Sequence, residues 1–216
     1  MTAPKLTEHV VRIPVERRIL EGILRVPAAA RGIVAFAHGS GSGRHSPRNQ
    51  FVAGVLREGG LATLLLDLLD GEEAADRACV FDIDLLAGRL QGAANWLTQH
   101  AQTRKLGLGY FGASTGAAAA LTAAARDPQT IRAVVSRGGR PDLAWEVLPA
   151  VRAPTRLIVG SLDVEVLHLN RKALEALSCP KDLVVVPGAT HLFPEPGTLE
   201  QVADLAREWF EKHLPT

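Results

Sequence analysis

Residues 112–116 read Gly112-Ala113-Ser114-Thr115-Gly116. A serine between two glycines at this spacing suits attack of a hydroxyl on a carbonyl carbon. An apolar run at 106–111 leads into it, and a small-residue helical pattern follows at 114–126. On a sharp turn between a strand and a helix, a serine projects its hydroxyl above the edge of a sheet. The flanking glycines let the backbone bend and the helix approach the strand. The spacing predicts a nucleophile at Ser114.

Serine is a weak nucleophile without a base in reach and a third group to orient that base. The chain has seven histidines. His191 follows the apolar run 183–186 after the turn Pro187-Gly188-Ala189-Thr190, beyond a strand's carboxyl end. His9, His100 and His213 fall on a strand start, a helix end and the terminal helix. His38 ends a strand but lies upstream of the serine. Asp163, in Gly160-Ser161-Leu162-Asp163, follows another apolar run and stands between serine and base in chain order. Glu165, starting the next segment, and Asp182, preceding a strand, are poorer choices.

A developing oxyanion needs backbone donors. Thr115 supplies one N–H. Ser40, in the loop His38-Gly39-Ser40-Gly41-Ser42-Gly43, is the expected second, with Gly39 and Gly41 as neighbouring alternatives. Arg137 and Arg140 follow the run 131–136 and are candidates to hold an acidic group of the substrate by paired N–H donors. His45 is a further candidate for substrate contact. Asp67 and Asp70 also lie past a strand end, as pocket-lining residues or turn caps.

These groups need a scaffold that brings strand ends together. Short β-rich runs at 9–14 and 18–26 suggest an opening antiparallel pair. Apolar runs at 33–38, 61–67, 106–111, 131–136, 155–159 and 183–186 read as buried strands. Helical patterns fall at 47–59, 82–100, 114–126 and 199–213. Strands alternating with helices imply a mostly parallel sheet covered on both faces, with ligands at the strands' carboxyl ends. Gly-x-Gly-x-x-Gly at 107–112 lies within a strand rather than after one, so it is not read as a dinucleotide fingerprint.

Composition frames the rest. The 216 residues, 47% apolar and 22% charged, suit one domain over 1–216. A net charge of +1 gives no electrostatic reason to expect nucleic acid or an anionic membrane as partner. Cys79 and Cys179 lack metal-ligand spacing and are expected as reduced thiols. No signal-peptide core is read at the N-terminus, so a cytoplasmic location is expected, as a monomer or small homo-oligomer. No metal or organic cofactor is expected.

The glycine loop after a strand, the elbow at Ser114, then Asp163 and His191 resemble an α/β-hydrolase. The compact size resembles the dienelactone hydrolase-like branch. The likeness covers about residues 10–214. Segments 38–49 and 136–142 are similar to hydrolase domains attached to phosphoribosyltransferases in some bacterial proteins, though the 216 residues hold no phosphoribosyltransferase part. The resemblance implies an eight-stranded sheet with the second strand antiparallel to the rest. Only about 18 residues separate the strands near 136 and 155, so no cap domain is expected there. Dienelactone hydrolases carry cysteine at the nucleophile. Ser114 turns the expectation from dienelactone itself toward small carboxylic esters or lactones. The same triad would serve a peptidase or amidase, and the fold would also serve a catalytically silent binding scaffold.

Overall fold

The computed structural model describes residues 6–214. Residues 1–5, where the N-terminal reading begins, and 215–216 lie outside that description. The chain opens with β1 (Leu6–Val15) and β2 (Arg18–Pro27), paired antiparallel in full register. It continues through β3 (Gly32–Ala37), α1 (Pro47–Glu58), β4 (Leu61–Leu66), the short helices α2 (Gly71–Ala75) and α3 (Arg77–Val80), and α4 (Ile83–Gln99). Next come β5 (Gly107–Ala113), α5 (Thr115–Arg126), β6 (Ile131–Arg137), a kinked 3-10 segment (Pro141–Ala150) and β7 (Thr155–Gly160). α6 (Val164–Ala176), β8 (Lys181–Val186) and α7 (Thr198–His213) complete it.

The eight strands form one sheet in the order β1-β2-β4-β3-β5-β6-β7-β8. β2 runs antiparallel to both its neighbours, and the pairs from β4 to β8 are parallel. The sheet thus has the strand count and the single reversed strand that the resemblance implies. Only the 3-10 segment joins β6 to β7, and no cap domain interrupts the sheet.

β3, β4 and β7 are buried along their whole length. That is why they read as unbroken apolar runs rather than alternating ones. One face packs on α4 and α5 through Leu64, Tyr110, Leu86, Leu90 and the α5 alanines. The other packs on α1 and α7 through Phe36, Phe111, Val52, Leu56, Val202 and Phe210, with the Phe36 and Phe111 rings 4.8 Å apart. α5 is so rich in alanine because it lies flush on the sheet directly behind the elbow.

Three segments carry helices that apolar periodicity alone did not reveal. α6 has only four buried residues, Val166, Leu167, Asn170 and Ala173. α2 and α3 have none. A helix without a wide apolar stripe leaves little trace in hydrophobic patterning. α2 does carry a start signal: Asp70 accepts from the Glu72 and Glu73 amides, and the Glu73 carboxylate accepts from the Asp70 amide. β8 begins at Lys181, so Asp182 lies inside the strand rather than before it, and there it pairs with Arg156 at 2.9 Å.

Candidate active site

β5 ends at Ala113 and α5 begins at Thr115, so Ser114 forms the whole turn between them. Its backbone is held at φ +52° and ψ −121°. A non-glycine residue in that region is strained by about 1–3 kcal/mol and persists only where its surroundings enforce it. Two backbone bonds do so: Ser114 N–H donates to Arg137 O at 3.2 Å, and Ser114 O accepts from Arg140 N–H at 3.1 Å. The Ser114 hydroxyl makes no capping bond to α5. An ordinary serine N-cap is therefore not what the residue does here.

The two glycines are there for room. A β-carbon on Gly116 would lie 2.2 Å from Ala37 O, and one on Gly112 would lie 2.4 Å from Ala117 Cα. Both are impossible contacts, so α5 sits this close to β3 and β5 only because residues 112 and 116 lack side chains.

Asp163 and His191 arrive from neighbouring strand ends, just after β7 and in the loop after β8. Asp163 Oδ2 is 2.6 Å from His191 Nδ1. The Asp163 side chain is 14% exposed and that of His191 37%, so the ring stands at the surface on a more sheltered carboxylate. This contact assigns the Nδ1 proton to the carboxylate side and leaves Nε2 as the acceptor. His191 and Ser114 share the 137–140 segment as neighbour. A β-carbon at Gly138 would be 3.4 Å from His191 Nδ1, while the flanking residues bond the Ser114 backbone. Among the described residues no hydrogen bond joins the Ser114 hydroxyl to the His191 ring.

On the other side of Ser114 lies the glycine loop. A β-carbon at Gly39 would be 3.1 Å from Ser114 Cβ. Ser40 N–H donates to Thr115 Oγ1 at 3.1 Å, so the two expected oxyanion donors belong to residues in direct contact. His38 anchors the loop. Its Nε2 accepts from Leu68 N–H at 3.0 Å, which places the proton on Nδ1, and Nδ1 donates to Gly39 O at 3.0 Å. Burial lowers its pKa and favours this neutral form. Farther out, Arg44 pairs with Asp67, whose Oδ1 also accepts from Arg44 N–H at 2.6 Å. Asp67 thus holds the loop, and Asp70 caps α2.

The three candidates for substrate contact fall into different situations. Arg140 is bound bidentately by Asp142, at 2.8 and 2.7 Å. His45 is exposed, just before α1. Arg137, at the end of β6, is only 7% exposed, and its Nη1 is buried without a hydrogen-bond partner. Burial, with Arg48 nearby, lowers its pKa to about 10. Arg48, in the first turn of α1, likewise has a buried Nε without a partner among the described residues. No sequence signal marks that proximity, because the two residues lie 89 positions apart on different elements.

An eight-stranded sheet of this order, with a strained serine turn after β5 and a paired acid and histidine after β7 and β8, defines an α/β-hydrolase. A solved dienelactone hydrolase from Anabaena variabilis is 56% identical to the chain, covers 97% of it over 99% of its own length, and superposes with a TM-score of 0.95. The chain belongs to the dienelactone hydrolase family. Two putative phosphoribosyl transferases of Mycobacterium tuberculosis are 57% identical over 211 residues. The match takes in 98% of this chain but 48% of each relative, so the chain spans about half the length of the curated relatives it matches. A lidless α/β serine hydrolase from Xanthomonas campestris shares the fold at 22% identity, with a TM-score of 0.80 over 97% of this chain and 96% of its own. No family model matches the chain. Among the described residues, no helix is long and apolar enough to cross a membrane.

Proposed function

We propose that the chain is a serine hydrolase of small carboxylic esters or lactones, working through an acyl-enzyme on Ser114. His191 Nε2 takes the Ser114 proton as Oγ attacks the carbonyl carbon. The backbone N–H groups of Thr115 and Ser40 receive the oxyanion. His191 then passes its proton to the leaving alcohol oxygen as the carbon–oxygen bond breaks. Water repeats the sequence on the acyl-enzyme and frees the acid. Asp163 holds the imidazole in the tautomer this requires. Ser40 N–H rests on Thr115 Oγ1, and substrate oxygen competes for it.

The observation that carries this reading is the Ser114 turn: backbone strain is kept at a residue whose hydroxyl makes no capping bond, and the 137–140 segment that bonds its backbone also touches the Asp163-bound His191. Arg137 fits the reading as a binder of a negatively charged substituent, since its buried cation has no acidic partner, whereas Asp142 already holds Arg140. His45 takes no defined role. The reading implies a cytoplasmic enzyme, monomeric or a small homo-oligomer, that needs no cofactor.

A fluorophosphonate probe tests the assignment. Labelling confined to Ser114, together with ester hydrolysis that Ser114→Ala abolishes, is the expected result. A folded protein that neither labels nor cleaves any ester would make the chain a silent scaffold.

A further inference from the structure

A cavity of about 100 Å³ opens beside the glycine loop, with neither His191 nor the 137–140 segment in its lining. Ser40 and Thr115 stand at its oxyanion end. Leu69, Ala74, Val80 and Leu86 form its apolar part, and His38 with the rest of the glycine loop lines the remainder. We infer that this cavity is the acyl pocket of the proposed hydrolase, and that it takes unbranched aliphatic acyl groups of about four carbons or fewer; the inference rests on the reading of Ser114 as nucleophile.

Topology decides which part of the substrate enters. The strand order β4-β3-β5-β6-β7-β8 puts the loops after β3 and β4 on one side of Ser114. It puts the 137–140 segment, Asp163 and His191 on the other. The tetrahedral carbon carries Ser114 Oγ, the oxyanion, the leaving oxygen and the acyl chain. The leaving oxygen must face His191, which protonates it. The oxyanion must face the Ser40 and Thr115 amides. The remaining direction, toward β3 and β4, belongs to the acyl chain.

Volume sets its length. A water molecule's share of the liquid is about 30 Å³, so the cavity has room for about three carbon-sized groups beyond the carbonyl. An apolar cavity known to take a benzene ring is about 150 Å³, so aromatic acyl groups are too large. The roof over the cavity is α2 and α3. Neither helix buries a side chain. Polar contacts hold α2: Glu73 pairs with Arg89 at 3.0 Å, Arg89 also donates to Val15 O at 3.3 Å, and Asp70 pairs with Arg18 at 2.5 Å, while α3 rests on the core through the partly buried Cys79 and Val80.

The test measures kcat/KM for p-nitrophenyl acetate, butyrate and octanoate, alongside fluorophosphonate labelling of Ser114. Acetate and butyrate are expected to exceed octanoate by about tenfold or more. Val80→Ala should raise the octanoate-to-butyrate ratio, and Ala74→Leu, on the exposed roof, should lower the butyrate-to-acetate ratio, each by about tenfold. If Ser114 labels but octanoate is cleaved as well as butyrate, or neither variant moves its ratio, the acyl-pocket assignment falls while the hydrolase reading stands. If folded protein neither labels nor cleaves any of the three esters, the hydrolase reading falls and the pocket assignment with it.

Discussion

Ser40 and Thr115 are 75 residues apart in sequence and joined by one hydrogen bond, from the Ser40 amide to the Thr115 hydroxyl at 3.1 Å. The bond fixes the glycine loop against the first turn of α5. The spacing of the two amides proposed to receive the oxyanion therefore depends on a side chain of one of them.

Removing that hydroxyl should loosen one donor without deleting it. Thr115→Val is expected to lower kcat on an acetate ester by about tenfold, less than the loss of a whole oxyanion donor, with KM little changed. Thr115→Ser, which keeps the hydroxyl, should retain most of the activity. Steady-state kinetics of the two variants side by side decide whether the hydroxyl or the residue's bulk matters.

Asp163→Asn removes the charge while keeping the shape. The amide presents the wrong hydrogen-bonding group to His191 Nδ1 and disfavours the tautomer that leaves Nε2 open. A loss of about 10³–10⁴ in kcat is expected, with folding intact by circular dichroism. A loss under about tenfold would show that Asp163 does not orient the base.

The strain at Ser114 predicts a trade between stability and activity. Ser114→Gly, lacking the β-carbon that disfavours φ +52°, should stabilise the protein by about 1 kcal/mol, raising Tm by about 2–4 °C while abolishing activity. Ser114→Ala should abolish activity without that gain. Equal Tm values for the two variants would mean the turn is unstrained.

Arg137 is a buried cation without an acidic partner among the described residues, an arrangement that costs stability unless something anionic binds. Arg137→Met is expected to stabilise the unliganded protein by about 1–3 kcal/mol and to lower kcat/KM for an ester carrying a carboxylate much more than for a matched neutral ester. Thermal melts and the paired esters supply the two readouts. An equal loss for both esters would leave Arg137 a structural role only.

His38 makes stability depend on pH with a definite sign. Burial depresses its pKa in the folded protein, so between that value and the ordinary histidine value of about 6.5 the unfolded chain binds the proton and the folded chain does not. Stability from this group is thus present above about pH 6.5 and is lost as pH falls through the folded pKa. Protonation would also take Nε2 away from Leu68 N–H. Denaturant melts between pH 7.5 and 5 should show a shallower decline for His38→Gln than for wild type. Parallel declines would mean His38 is not the titrating group.

Much of the fold was legible in the sequence because its elements are extreme. Strands buried on both faces leave unbroken apolar runs, and a helix flush against a sheet leaves a run of alanines. The Gly-x-Ser-x-Gly turn was legible for a similar reason, since two positions there have no room for a β-carbon. α2, α3 and α6 were not, because they present little or no buried surface and periodicity is blind to them. The local clues were caps: Asp70 and Glu73, a capping box whose two partners are three residues apart, and Asp76, which accepts from the Ala78 amide at the start of α3.

What the sequence determined by itself is thus local: residues that must be small, apolar or turn-forming wherever the rest of the chain goes. That placed Ser114 on an elbow and put Asp163 and His191 after strands in the right order. Only the tertiary structure decided that Asp163 meets His191, that Ser40 meets Thr115, that Asp142 occupies Arg140 while Arg137 is left beside Arg48, and that a small cavity lies opposite the base. Those are distances between groups brought together by strand order. Strand order follows from how distant segments pair and pack, a property that no short stretch of sequence carries.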